Sequence, residues 1–443
     1  MFKKRTRTYK SLIISTLLVF SIIFLIFQSQ VIGKQEEWNY ETLTSQNREL
    51  HEAPSIAAYE NNIHIVWNCY HTEFETKIYY IKSTDNGKTW SNITELSSDT
   101  ESATYPAVAA QGNSVHVAWQ DTKNKYPQIY YRRSIDNGLN WGPIKRLVYN
   151  STDLDNVNIG VSGNNIYLMW KDYKRWEEYN ESNPVRHGAE IYLKRSKDNG
   201  ETWEPEQRLT NDFEPSYNPF LSVENNNIYI IYDEAWVRND IVFIKSTDKG
   251  EQWSQRIYLT DVQKNGESEY PTLDTNENNL YAVWQDSRTG KREIYFKKSD
   301  DYGKSWNEIV QLTNDDIRYS SPKIKSYGNK LTVIWQSKKA IWYKTSQDRG
   351  ETWSKTIQIA ENNSNPASAT LAIQGNNCHI VYQEYNNTYG DICYMNNVNN
   401  SSNMPDNGKT NNNEDFLPDF TIYSFIIAIL IITLAVKFYA KKK

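Results

Sequence analysis

Cysteine is nearly absent. Cys69, Cys378 and Cys393 are the only three in 443 residues, too few for a disulfide scaffold. Cys378 and Cys393 are placed so that they could pair across neighbouring strands. No Cys/His group has the spacing of a zinc site, and neither a metal nor another cofactor is expected. Positive charge is not in excess either: 49 Lys and Arg against 54 Asp and Glu leave a net charge of −5, which argues against a nucleic-acid partner. Ala and Leu are sparse. Tyr (32), Trp (15) and β-branched residues are frequent instead, so strands are expected.

The two ends differ from the middle. Lys3, Lys4, Arg5, Arg7 and Lys10 (segment 1–10) precede an apolar run at 11–31. At about 1.5 Å per residue that run can cross about 30 Å of hydrocarbon, as a signal peptide or an anchor. A second run, 420–436, is followed by the basic tail 437–443. Flanking transmembrane helices are expected, the first unless it is cleaved as a signal peptide, with their cations in the cytoplasm and the middle of the chain on the extracellular side of the cell membrane. Sequons at Asn92, Asn150, Asn180, Asn362, Asn386, Asn399 and Asn400 suit an exported glycoprotein. Residues 397–419, rich in Asn, Ser, Asp and Gly, read as a flexible stalk.

What dominates the middle is a repeat. Ser83-Thr84-Asp85-Asn86-Gly87-Lys88-Thr89-Trp90 follows Ser-x-Asp-x-Gly-x-x-Trp, and the pattern recurs around Asp136, Asp198, Asp248, Asp301 and Asp348 at spacings of 47 to 62 residues. Gly supplies a positive φ, the Asp accepts hydrogen bonds from turn N–H groups, and the Trp can fold back as an apolar lid. Around each box lie four period-2 segments, A to D; in the second unit A starts at Pro106, B is 115–119, C is 128–134 and D is 141–147. Strand B ends seven times, at Trp67, Trp119, Trp170, Tyr232, Trp284, Trp335 and Tyr382, against six boxes. The last unit lacks a D strand, and the segment 38–44 has the Leu-Thr ending of one. The expected fold is therefore all-β: a seven-bladed β-propeller over 38–396, with four-stranded antiparallel blades and the outer strand of the last blade supplied by the N-terminal segment.

The box resembles the Asp-box, or BNR repeat, of the sialidase-like β-propellers. The resemblance implies the propeller fold and, in the family's sialidases, glycoside hydrolysis, six blades and an Arg-Ile-Pro motif whose arginine helps grip the substrate carboxylate. The corresponding stretch here is His51-Glu52-Ala53-Pro54, which puts Glu52 at the arginine position. The motif is not found, so the resemblance carries the fold further than the activity.

In an A-B-C-D meander the boxes share one face with the A–B turns, and the B–C and D–A loops share the other. The second face is where a site is expected. Trp176 and Trp236, the two tryptophans used neither by the boxes nor by the strands, fall in B–C loops of adjacent units and suit stacking on sugar rings. Asp121, Asp172, Asp233, Glu234, Asp286 and Glu384 follow strand B. Tyr105, Tyr217, Tyr270 and Tyr319 precede strand A, and Arg175, Arg186, Arg238 and Arg288 lie on the same loops. The candidates for catalysis are Asp172, Asp233 and Asp286. Those for ligand contact are Trp176, Trp236, Asp121, Glu234, Arg186, Arg288 and Tyr270. The competing reading is that acids recurring in nearly every blade cap its B–C turn. The expected function is recognition of a glycan or a cell-surface protein; the alternative is a sialidase-like exo-glycoside hydrolase.

Overall fold

The computed structural model describes residues 38–398, apart from 45–48, 73–74, 99–101, 123–125, 150, 152, 174–187, 212–213, 236–238, 261–265, 316, 362–364 and 387–388. Seven four-stranded antiparallel blades follow one another. In blade 1, strand A is Leu50–Tyr59, B is Asn62–Tyr70, C is Thr76–Ser83 and D is Thr94–Glu95. Blade 2 runs from A (Ala103–Gln111) to D (Lys145–Val148), and blades 3 to 6 occupy 154–208, 216–258, 268–311 and 320–361. Blade 7 takes Asn365–Gln374, Asn377–Asn386 and Tyr389–Asn396, and its fourth strand is Asn39–Thr42, antiparallel to the third with Asn39 opposite Asn396. The N-terminal segment thus closes the ring as expected. Blades 1 and 7 also meet at one parallel bridge, Leu50 to Gly390. A Cβ on Gly390 would lie 2.8 Å from the His51 carbonyl oxygen, so only glycine permits this approach.

The expected flanking transmembrane helices must be corrected. The described residues form strands and turns, and no helix among them is long and apolar enough to cross a membrane. The runs 11–31 and 420–436, and the stalk, lie outside the described residues. No disulfide joins Cys378 to Cys393. Cys393 faces Tyr382 and Thr42, Cys378 faces Ile373, and all three cysteines are free.

The core is divided among the seams. Seven hydrophobic clusters each combine two neighbouring blades, from Val66, Tyr80, Val117 and Trp119 between blades 1 and 2 to Tyr394, Val381, Ile65 and Trp67 between blades 7 and 1. Strand B is buried on both sides because each of its faces meets a different blade, which is why it reads as a nearly continuous apolar run.

The boxes join these seams. In the first, the Ser83 hydroxyl donates to Asp85 (2.7 Å) and accepts from Gly87 N (2.8 Å), while Asp85 accepts from Lys88 N and Thr89 N (3.0 and 2.9 Å). The turn uses two successive positive-φ residues rather than one, Asn86 (60°) and Gly87 (79°). Nor does the Trp cover its own hairpin. Trp141 packs edge-on against Tyr80 of the preceding blade (4.9 Å), and Trp90 on Tyr394, Trp203 on Tyr131, Trp306 on Phe243 and Trp353 on Phe296 repeat the contact at 4.8 to 5.2 Å. Blade 7 has no box, and Trp38 of the closing strand fills that role on Tyr343 at 5.2 Å. Because the Trp is committed to the neighbour, strand D starts later than expected, at Lys145 rather than Trp141 in blade 2.

The box glycine is part of the same joint. A Cβ on Gly138, at φ +73°, would lie 1.9 Å from the Tyr80 hydroxyl oxygen. Gly138→Ala is expected to cost about 3 kcal/mol or more in denaturant unfolding, combining left-handed strain with displacement of Tyr80. Gly112→Ala, at φ +57° in an A–B turn with nothing within 4 Å, should cost only about 1–2 kcal/mol. Equal costs would show that the box glycine does not join blades.

Candidate binding site at the channel mouth

Strand A is innermost. Contacts such as Thr272 Oγ1 to the Pro322 carbonyl (3.1 Å) link the A strands of neighbouring blades, and Lys323 of blade 6 reaches across to the Phe220 ring of blade 4 at 5.8 Å. Both side chains therefore point into the central channel. Burial pushes the Lys323 ammonium down to about 8.

At the mouth on the B–C and D–A face, every A strand carries a bulge with a left-handed, non-glycine residue: Ala53, Tyr105, Asn156, Asn218, Tyr270, Ser321 and Ser368, at φ 46° to 55°. Such residues are strained, and bulges re-aim side chains. Here they turn Tyr105 and Tyr270 out to 57% and 45% exposure. Tyr217 is partly buried and Tyr319 fully buried.

The residue after the last aromatic of strand B supports this ring. Asn68 accepts from Tyr105 N (3.2 Å), Asp233 from Tyr270 N (3.2 Å) and Gln285 from Ser321 N (3.4 Å), each in the next blade. Five blades place an amide at this position: Asn68, Gln120, Gln285, Gln336 and Gln383. Blades 3 and 4, which are adjacent, break the pattern with Lys171 and Asp233. Departures from a repeat mark the places where something other than the blade is being served.

The acids expected to form one ring split into two sets by strand parity. Asp121, Asp172, Glu234, Asp286 and Glu384 stand one residue further along, on the other face of the strand. Asp286 accepts from Trp284 Nε1 (3.0 Å), the Ser268 hydroxyl (2.8 Å) and both Arg288 N and Nε (2.9 Å each), and the Arg288 side chain holds its carboxyl below the usual range despite burial. Asp172 accepts from the Ser151 hydroxyl (2.7 Å) and Trp170 Nε1 (3.2 Å), and Asp121 from Ser102 N (3.3 Å). Glu234 turns to the outer strand of its own blade, accepting from Arg256 and Tyr258. Asp121, Asp172, Glu234 and Asp286, and Arg288 with them, are thus engaged in contacts that hold strands together. The box aspartates lie on the opposite face. Trp176, Trp236 and Arg186 lie outside the described residues, as do Arg175 and Arg238, although the loops that carry them leave the strands at Tyr173 and Ala235, beside the divergent pair. Glu52, at the missing arginine's position, accepts from the Tyr385 hydroxyl at 2.9 Å.

Around the divergent pair a polar, aromatic patch spans blades 3 to 5. The Lys171 ammonium lies 2.9 Å from Asp155 and over the rings of Tyr173 and Tyr217, at 5.3 and 5.2 Å. Asp233 accepts from Asn218 Nδ2 (2.9 Å), and its second oxygen, buried, has no partner among the described residues. Burial, with a smaller push from Glu269, raises its carboxyl to about 7. Glu269 itself is held by Gln285 Nε2 (2.9 Å) and Asn239 Nδ2 (3.2 Å). Sequence reasoning missed Lys171, Tyr173, Asn218 and Glu269. Aligning the seven strand-B ends by residue would have found Lys171 and would have set Asp233 apart from the other acids.

The Asp233 shift fixes a sign. The group is protonated when folded up to about pH 7 but ionises near 3.8 when unfolded, so its contribution to stability is full below about pH 3.8 and is lost as pH rises to about 7. Buried His64, His116 and His379 are lowered by desolvation and pull the other way, losing stability below pH 6.5. The comparison with Asp233→Asn isolates the aspartate. From pH 4 to 7 the variant should gain stability relative to wild type, at up to roughly 1.4 kcal/mol per pH unit. A pH-independent difference in unfolding free energy would exclude a protonated Asp233.

Comparison with known proteins agrees with this architecture. Residues 190–388 match the model of the BNR repeat-like domain. A xyloglucanase, Xgh74A of Acetivibrio thermocellus, is 26% identical over 150 residues, which are 30% of this chain and 17% of that protein, so the chain spans a small part of that relative's length. Among solved structures, the polysaccharide lyase Uly1 aligns with a TM-score of 0.52 at 11% identity, covering 83% of this chain and 94% of that one. A sialidase of Trypanosoma rangeli gives 0.44 at 13% identity over 69% of this chain and 55% of its own. The α-L-arabinofuranosidase arb93a of Fusarium graminearum gives 0.46 at 15% over 79% and 92%. At 11% identity the likeness to the lyase bears on fold alone. The six boxes, the ring of seven blades and the repeat matched over 190–388 are similar to those of the sialidase-like Asp-box, or BNR-repeat, β-propellers.

Proposed function

We propose that the protein recognises a carbohydrate at the channel mouth over blades 3 to 5, on the outer side of the cell. The observation that carries this reading is the break in the repeat: Lys171 and Asp233 replace structural amides in two adjacent blades, beside Tyr173, Tyr217 and Tyr270. Tyrosine rings stack on the C–H faces of sugars, while a lysine, a carboxyl and an asparagine supply directional hydrogen bonds to hydroxyl groups. The extracellular location rests on the sequons. On a glycan array, wild-type protein should bind a defined set of saccharides, and Tyr270→Ala and Tyr217→Ala should each weaken binding roughly tenfold, or about 1.4 kcal/mol. Binding unchanged in both variants would move the site elsewhere.

A second reading, glycoside hydrolysis, is favoured by one observation. The second oxygen of Asp233 has no partner among the described residues, and burial keeps the group protonated to near neutrality, as a general acid requires. On a panel of aryl and oligosaccharide glycosides, Asp233→Asn should then abolish a turnover that Asp172→Asn retains in whatever protein folds. A wild-type protein that hydrolyses nothing on the panel leaves recognition as the function.

A further inference from the structure

Blade 1 breaks the repeat in a different way. Where blade 5 pairs Ser268 with Asp286, blade 1 pairs His51 with Cys69. The register then sets Glu49 against His71, since Leu50 faces Tyr70. Residues two apart along a strand share a face, so Glu49, His51, Trp67, Cys69 and His71 all project to one side of the blade, with Tyr79 joining from strand C opposite Trp67.

The side chains converge on the carboxylate. The Cys69 thiol donates to Glu49 Oε2 at 3.4 Å, and His71 Nδ1 lies 3.1 Å from Glu49 Oε1. One donor atom from each of Glu49, Cys69 and His71 falls within 4.8 Å of the others. Zinc bonds of about 2.0 Å to N or O and 2.3 Å to S place tetrahedral ligands roughly 3.3–3.7 Å apart, so a small inward adjustment suffices. Cys69 is fully buried, whereas Glu49 and His71 are partly open to solvent.

We propose that Glu49, Cys69 and His71 form a three-ligand site for a divalent transition metal of zinc type, with a fourth coordination position open to solvent or ligand. Thiolate and imidazole beside a single carboxylate suit zinc and exclude magnesium or calcium, which take oxygen ligands. The neighbours are arranged for it. His71 Nε2 is 2.8 Å from the Tyr79 hydroxyl, so with Nε2–H donating to that oxygen the Nδ1 lone pair faces the metal. His51 is not a ligand. Trp67 Nε1–H donates to its Nδ1 at 3.0 Å, which leaves the proton on Nε2, and that atom lies 3.9 Å from Glu49 Oε2, beyond hydrogen-bond distance. Binding displaces one proton, that of the Cys69 thiol, to solvent; His71 only exchanges tautomers. The site lies on the B–C and D–A face in blade 1, and it does not depend on the carbohydrate reading, which concerns blades 3 to 5.

The test is metal titration of the full chain after chelator treatment, followed by competition with a chromophoric chelator. One zinc per chain should bind, and cobalt(II) should give a thiolate-to-metal charge-transfer band. Cys69→Ser should abolish that band, while Cys378→Ser and Cys393→Ser retain it. His71→Ala, a change at an exposed position that leaves the core intact, should weaken zinc binding at least tenfold and decides the matter if Cys69→Ser fails to fold. The proposal is overturned if wild type takes up no stoichiometric zinc, or if its zinc affinity is the same in His71→Ala.

Discussion

The packing of one blade's box against the aromatic ring of the blade before it is the contact on which this molecule depends. A four-stranded blade cannot bury both faces alone. Here each seam has its own apolar cluster, and the box fastens the outer part of that seam: glycine leaves room for the ring's edge, and tryptophan closes on its side. The Asp and Ser of the box hold the turn in the shape that makes both contacts possible. Blade 4 shows how far the rule tolerates change. Its box meets Leu193 and Ile228 where other boxes meet a ring, and Trp253 packs on the same cluster. The seam without a box is closed by the chain's own beginning, with Trp38 in the place of the missing tryptophan.

Fastening the ring from one face leaves the other available for chemistry. The strand-A bulges ring the channel mouth, and five of the seven residues behind them are amides, of which Asn68 and Gln285 accept from the backbone of the next blade. A scaffold this regular makes its irregularities informative. Lys171 and Asp233 interrupt the amides over two adjacent blades, and His51, Cys69, Glu49 and His71 interrupt the Ser–Asp cap in blade 1. Both departures are on the same face, opposite the boxes.

The number of blades, the closing strand and the structural role of the box were legible because they depend on period-2 patterning and on a repeat copied six times. The partner of the box tryptophan was not, because it belongs to the previous blade and is about 60 residues away in sequence. In sequence the acids after strand B look like one ring. One residue of register separates Asp233 from Asp172 and Asp286, and a single step along a strand reverses the side chain. The group in blade 1 escaped spacing rules for a similar reason. Cys69 and His71 are two apart, a spacing with no signature, and Glu49 joins them only through antiparallel pairing. Trp176, Trp236 and Arg186 lie outside the described residues.

The claim that each box binds its blade to the one before can be measured most directly by a double-mutant cycle on Tyr80 and Trp141, using leucine at each position and unfolding free energies. A coupling of about 0.5–1.5 kcal/mol is expected between these residues of different blades. Additive effects within about 0.3 kcal/mol would contradict it, and would mean that the tryptophan serves only its own hairpin.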